Sequence, residues 1–348
     1  MQRLPHCLLG IALLSLALPG PRAQGQVTPS TPDAESPARP MDGAEHWAFQ
    51  PLRQVALPVV RHHDWGANAV DAFILHRLEA EGLSPAPAAD KRTLLRRVTF
   101  DLTGLPPTPD EIADFLTDES PLAYSRVVDR LLASPAYGER WGRHWLDVVR
   151  YADARDLIQL PAESDFREAW RYRDWVVQAF NSDLPYDRFI SCQIAGDLLQ
   201  PADPHEIDVG ALVATGLLSI ADFVPGDVDK TQMIADYVND QIDVVGRAVL
   251  GLTLGCARCH DHKYDPITIE DYYSLAGIFF STRLIPSPVK GNTPLVRVPL
   301  LPPARVQEIE AEAARAKQRL AVLPGEIATF EERVFHEWME QRIARETA

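Results

Sequence analysis

Residues 231–260 read TQMIADYVNDQIDVVGRAVLGLTLGCARCH. The segment becomes more apolar along its length and runs straight into two cysteines and a histidine. Its periodicity predicts one long helix over 231–254 that delivers Cys256, Cys259 and His260 to the surface of a helical body. Cys256-Ala-Arg-Cys259-His260 has the spacing of a c-type haem attachment site. Two thiols three residues apart can add to the two vinyl groups on one porphyrin edge. The following imidazole then falls beneath the ring as the proximal iron ligand. His260 is therefore the expected iron ligand, and haem c the expected covalent cofactor. Three other readings of the same residues stand beside it. Cys-x-x-Cys at a helix start can form a redox-active pair. Cys256, Cys259, His260 and His262 supply N and S ligands of the type zinc takes. The two cysteines can also form a purely structural pair.

The sixth iron position is less constrained. His262 stands two residues from His260, a span of at most about 7 Å, too short to reach the opposite face of the ring. Met233, His144 and His205 are sterically free candidates, and Met233 suits a high potential. Each has an ordinary alternative: core filler, packed or surface histidine, and loop residue. Asp261, His262, Lys263 and Asp265 surround the motif. They could meet propionates or tune the iron, or they are a solvated loop turning at Pro266.

Upstream, the signals are repeatedly helical. Val70, Phe73, Ile74 and Leu78 form a stripe stopped by Gly82. Asp90 caps a helix through Leu94, Leu95 and Val98 that Gly104 ends. In LPPTPDEIADFL, Thr108 is the cap, Pro109 the first helical residue and Glu111 the closing member of a capping box. Further helices are expected from Pro135 to Asp153, with Tyr137, Trp141, Trp145 and Val148 along one side, and from Arg167 to Phe180. Thr268 caps IEDYYSLAGIFF. Cys192, within FISCQIAG, reads as a small apolar helix residue. Trp170, Tyr172 and Trp175 read as core, and Asp147, Arg150, Asp153, Arg155 and Asp156 as a salt-bridged face. No phosphate-binding glycine loop or nucleophile elbow is present.

The ends of the chain differ in character. Arg3 followed by Leu8–Leu18 predicts a signal peptide over residues 1–23, too short in its apolar run to span a bilayer comfortably. Residues 24–44 are rich in Pro, Ser, Ala and Gly without apolar periodicity, the composition of a disordered linker. The folded domain is expected over 45–285, followed by a Pro-rich connector and helical tail over 286–348. In that tail Val306, Ile309, Ala313, Ala316, Leu320 and Leu323 follow heptad spacing. Pro324-Gly325 is expected to break the helix, and Ile327, Phe330 and Val334 to restart it as the second arm of a hairpin or coiled coil. The whole is a mainly α chain: a large irregular helical domain with a late Cys-x-x-Cys-His motif and a tail capable of coiled-coil association.

The net charge of −15 argues against nucleic-acid or anionic-membrane partners, which need a basic footprint. No later segment resembles a membrane span. With the signal peptide, the motif implies an exported protein, periplasmic or extracellular, that transfers electrons to a redox partner not identified by the sequence. A haem-dependent oxidoreductase acting on a carbohydrate-like substrate, and a non-haem structural or metal-binding module of an exported complex, are the alternative classes.

Several stretches together carry a family resemblance: HWAFQPL at 46–52, NAVDAFI at 68–74, RRVTFDLTGLPPTPDEI at 96–112, ERWGRHWLDVVRYADA at 139–154, WRYRDWVVQAFNSDLPYDRF at 170–189 and LTLGCARCHDHKYDPITIEDYY at 252–273. The chain resembles the planctomycete-type cytochrome c-associated family of uncharacterised exported proteins, in its second, helical cytochrome-like module. The resemblance spans roughly 46–285 and implies an exported, haem-associated protein with Cys256, Cys259 and His260 at the family's attachment positions. It also implies a small N-terminal cytochrome domain, for which residues 24–44 leave no room, and a large C-terminal partner domain, before which this sequence stops.

Overall fold

The computed structural model describes residues 46–62, 64–66, 68–153, 168–220, 229–282 and 296–346. The expected signal peptide and linker, Arg155 and Asp156, and most of the Pro-rich connector lie outside the described residues. The chain is mainly helical, with no strand among the described residues. No described helix is long and apolar enough to cross a membrane.

Local chemistry sets most helix starts. Asn68 and Asp71 close a capping box on α1 (Ala69–Ala80), Asp90 caps α2 (Lys91–Thr103), and Thr108 with Glu111 boxes α3 (Pro109–Thr117) behind Pro109. Gly104 ends α2 in the left-handed conformation, φ 72°. With α4 (Ala123–Leu132), α2 and α3 close a small core of Leu95, Phe115 and Ala123. The α1 stripe packs differently from its sequence reading. Leu75 is the buried residue, whereas Val70, Phe73 and Ile74 are exposed.

The larger core belongs to α5 (Pro135–Val148), α6 (Ala169–Asn181), α9 (Gly216–Ser219), α10 (Lys230–Val245) and α11 (Ile269–Phe280). Helices α7 (Tyr186–Ala195) and α8 (Val209–Ala214) flank it, burying Cys192 with Ala211 and Ala214. α5 stops at Val148, not at Asp153, and Arg150 follows with φ 53°. Its buried line is Gly138, Gly142 and Val149, and Val148 faces solvent. The reason is close helix contact: a Cβ on Gly138 would lie 2.3 Å from the Val177 carbonyl oxygen on α6. Asn181 completes the joint, accepting from the Gly138 N–H and donating to the Pro135 carbonyl.

Aromatic rings fill the centre. Tyr151, Tyr172, Trp175 and Phe189 stack in succession. Gln193, fully buried, accepts from Trp145 Nε1 (2.9 Å) and from the Tyr172 hydroxyl (2.6 Å), and donates to the Phe189 carbonyl. Burial raises the Tyr172 phenol above its usual range, so it stays a donor. Trp170 is exposed, while Tyr172 and Trp175 take the core role expected of them.

Two sequence expectations fail for identifiable reasons. The helix expected over 231–254 ends at Val245, passes through a π turn (Gly246–Leu250), and stops at Gly251 in the left-handed conformation. Gly246 permits this because the Leu252 carbonyl and Leu254 side chain pack where a Cβ would sit. The expected hairpin is instead one helix, α12 (Pro303–Glu346), with Pro324 inside it. Pro324 forfeits the bond to the Leu320 carbonyl, at a cost of about 3 kcal/mol. A proline removes one bond without supplying the extended turn that two antiparallel arms need, and α12 buries no residue against which a second arm would fold. At its start the Ala304 N–H donates to the Pro204 carbonyl.

Candidate functional site

Cys256 lies on a short 3₁₀ turn (Leu254–Arg258) between α10 and α11, and Cys259 caps its end. Three residues per turn stack positions i and i+3 one above the other. Leu254 and Ala257 therefore both point into the main core, while Cys256 and Cys259, on another side of the turn, are both exposed. All three described cysteines are free thiols, and the third, Cys192, is buried on α7. Burial pushes the Cys192 thiol up, keeping it protonated.

The turn is fixed from both sides. Arg258 pairs with Asp236 on α10 at 2.9 Å. Hydrogen bonds from Gln232 and Arg258 hold the Asp236 carboxyl below its usual range. The Tyr273 hydroxyl, from α11, donates to the Arg258 carbonyl at 3.2 Å. Gly255 passes so close to α10 that an added Cβ would lie 3.3 Å from Asp243 Oδ1.

The three residues after the cysteines have separate tasks. His260 is exposed, and its Nδ1 lies 2.7 Å from the Asp261 carbonyl oxygen. A carbonyl can only accept, so Nδ1 donates this bond, and in the neutral ring the lone pair then sits on Nε2. Asp261 turns away and accepts from the Ile269 N–H, securing the first turn of α11. The His262 side chain is only 6% exposed. Its Nδ1 accepts from the Asp265 N–H (2.8 Å), and its Nε2 meets Thr253 Oγ1 (3.1 Å). The His262 backbone N–H and the Ile267 carbonyl close the loop around it. Both nitrogens of His262 are thus committed to bracing, which a zinc site using that residue would have to undo. Among the described residues, no three His, Cys, Asp or Glu side chains form a group able to hold a metal ion.

The distal candidates sit in different surroundings. Met233 is buried on α10, one turn before Asp236. His144 is exposed on α5, edge-on to Trp141, and His205 is exposed in the loop before α8. None is brought into contact with His260. A shallow cleft on the α5–α6 face is lined by Glu139, Arg143, Asp147, Tyr151, Arg173 and Asp174, and by no motif residue. The bracing roles of Asp261, His262, Thr253 and Tyr273 escaped the sequence reading. A charged loop looks the same in sequence whether its side chains face water or its own backbone.

The donor set suits a c-type haem: two accessible thiols on one edge, followed by an imidazole with its outer nitrogen free. Comparison with known proteins gives one finding. The family model described as PSCyt2, a protein of unknown function (DUF1549), matches residues 69–284, from the first residue of α1 to just beyond α11. No curated protein and no solved structure matches the chain.

Proposed function

The chain belongs to this family of unknown function, and from that premise we propose that it is an exported carrier of one covalent c-type haem, serving extracytoplasmic electron transfer. Cys256 and Cys259 would hold the haem by thioethers, and His260 Nε2 would be the proximal iron ligand. Bound there, the haem would supply one-electron chemistry through its iron.

The observation that carries this reading is the division of labour at residues 256–262. Cys256 on the 3₁₀ turn and Cys259 capping it are both exposed, and a hydrogen bond from His260 Nδ1 to the Asp261 carbonyl would leave Nε2 as the ligating nitrogen of the neutral ring. Such a hydrogen bond on the second nitrogen is the usual partner of a ligating histidine, orienting the ring and raising its basicity. Tyr264 and Tyr273 are exposed in and beside the motif loop and offer ring surface for an apolar porphyrin. Export fits because the N-terminal segment reads as a signal peptide and c-type attachment takes place outside the cytoplasm.

The test is expression with c-type maturation machinery, followed by denaturation and a pyridine haemochrome spectrum, beside a Cys256→Ser/Cys259→Ser variant. Haem retained by the parent and lost by the variant is the expected result. A parent that retains no haem refutes the proposal.

A further inference from the structure

α12 has an apolar seam with no cover among the described residues. Val306, Ile309, Ala313, Ala316, Leu320, Leu323, Ile327, Phe330 and Val334 alternate by three and four without losing phase across Pro324. The seam runs about 43 Å. Leu320 is 66% exposed, Ile327 53% and Phe330 56%. A solvated helix with an interior proline and no buried residue is poorly stabilised alone, because most helical stability comes from packing an apolar face.

We propose that this seam pairs with the same helix of a second copy as an antiparallel two-stranded coiled coil, with its dyad between Leu320 and Leu323.

Two features of the sequence on this helix choose the occupant and register. The first is size. With Leu320 against the partner's Leu323, Ala313 faces Phe330 and Ala316 faces Ile327, while Ile309 faces Val334. Every small residue then meets a large one, and the helix separation stays even. A parallel pair would stack alanine on alanine at 313 and 316 and phenylalanine on phenylalanine at 330. That combination leaves gaps in one stretch and crowds the next.

The second is charge. The positions flanking the seam on one side are Arg305, Glu312, Arg319, Glu326, Arg333 and Glu340, alternating in sign. In this register Arg305 meets Glu340, Glu312 meets Arg333 and Arg319 meets Glu326, all opposite pairs. Sliding by one heptad in either direction makes each of these pairs like-charged, so the pattern rejects the neighbouring antiparallel registers. The opposite flank contributes one unfavourable meeting, Glu310 with Glu331. Within a single copy Arg319 Nη1 lies 2.6 Å from Glu326 Oε1, which shows the two side chains sharing one stripe within reach across Pro324. Association of two copies would exchange their two internal pairs for two equivalent pairs across the dyad.

The test is sedimentation equilibrium of the full chain as parent, Arg319→Glu and Glu326→Arg. Each variant alone sets like charges against each other twice at the dyad, and its dimer should dissociate about tenfold more readily. An equimolar mixture of the two variants restores opposite charges at both places and should return to parental affinity as a mixed dimer. Since α12 buries no residue, circular dichroism of the body should be unchanged in each. A Leu320→Glu/Leu323→Glu chain should be monomeric. A monomeric parent overturns the proposal. So does a dimer that survives Leu320→Glu/Leu323→Glu, or one in which mixing fails to restore affinity, the behaviour of a parallel pair.

Discussion

Replacing Arg150 should loosen the joint between α5 and α10, the helix that precedes the motif. Its Nε lies 2.8 and 3.0 Å from the two Asp240 carboxylate oxygens, and Nη2 also contacts Asp240. Nη1 reaches the Val149 carbonyl at 3.1 Å and the Leu217 carbonyl at 3.2 Å. One guanidinium thus ties the end of α5 to α9 and α10. The Arg150 side chain is 27% exposed and that of Asp240 21%, so water screens the pair in part. Removing one member of a fully buried pair costs about 3–5 kcal/mol, and hydrogen bonds to charged groups are worth about 1.5–3 kcal/mol. Allowing for the screening, Arg150→Ala should cost about 2–3 kcal/mol, lowering Tm by about 5–10 °C in a domain of this size. Arg150 also holds φ 53°. Arg150→Gly relieves that backbone cost and should be about 1 kcal/mol less damaging than Arg150→Ala. Urea unfolding of both, in a double-mutant cycle with Asp240→Asn, measures the coupling directly. A loss below about 0.5 kcal/mol, or a cycle without coupling, would refute the role assigned to this contact.

Three further outcomes are expected. Gly138→Ala should destabilise by about 1–3 kcal/mol through overpacking against α6, in contrast to Gly277→Ala on α11, where an added Cβ meets nothing within 4 Å; chemical denaturation of both compares them. In protein made without haem maturation, Cys256 and Cys259 should react rapidly with a thiol reagent while Cys192 waits for denaturant; three equally fast thiols would contradict the burial of α7. Glu79 accepts from the Arg61 and His62 backbone N–H groups and from His62 Nδ1, which hold its carboxyl down to about 2. Because the folded pKa is depressed, this tether is complete above the ordinary carboxylate range near 4.5 and is lost as pH falls towards 2. The protection of the Arg61 and His62 amides relative to their intrinsic exchange rates should fall over that interval, and Glu79→Gln should abolish that pH-dependent loss of protection.

Much of the helical layout was legible because its signals are local. Thr108-Pro109-Glu111, Asp90 before α2 and Thr268 before α11 each satisfy backbone groups within a few residues, so sequence spacing alone places the helix starts. Faces and ends were less legible. Val70, Phe73 and Ile74 have the right spacing for a buried stripe, yet the packed side of α1 is the one bearing Leu75. Any one-helix pattern with apolar residues on two sides leaves that choice to its neighbours. The end of α10 was hidden for the same reason: an apolar run reads as helix until Gly246 and Gly251 are seen packed and turned.

At the site, the sequence by itself determined the chemical types: two cysteines at fixed spacing, an adjacent histidine and an acidic loop. It also determined the heptad spacing from Val306 to Leu323, while the continuation of that phase across Pro324 was decided by the structure, which keeps α12 a single helix. Only the tertiary structure decided that Cys256 and Cys259 face outward, that His260 is held with Nε2 free, and that His262 is bound into its own loop. Those outcomes depend on α10 and α11 closing over Leu254 and Ala257. Burial of one side of a 3₁₀ turn dictates what its other sides can offer, and that burial comes from helices outside the motif's own few residues.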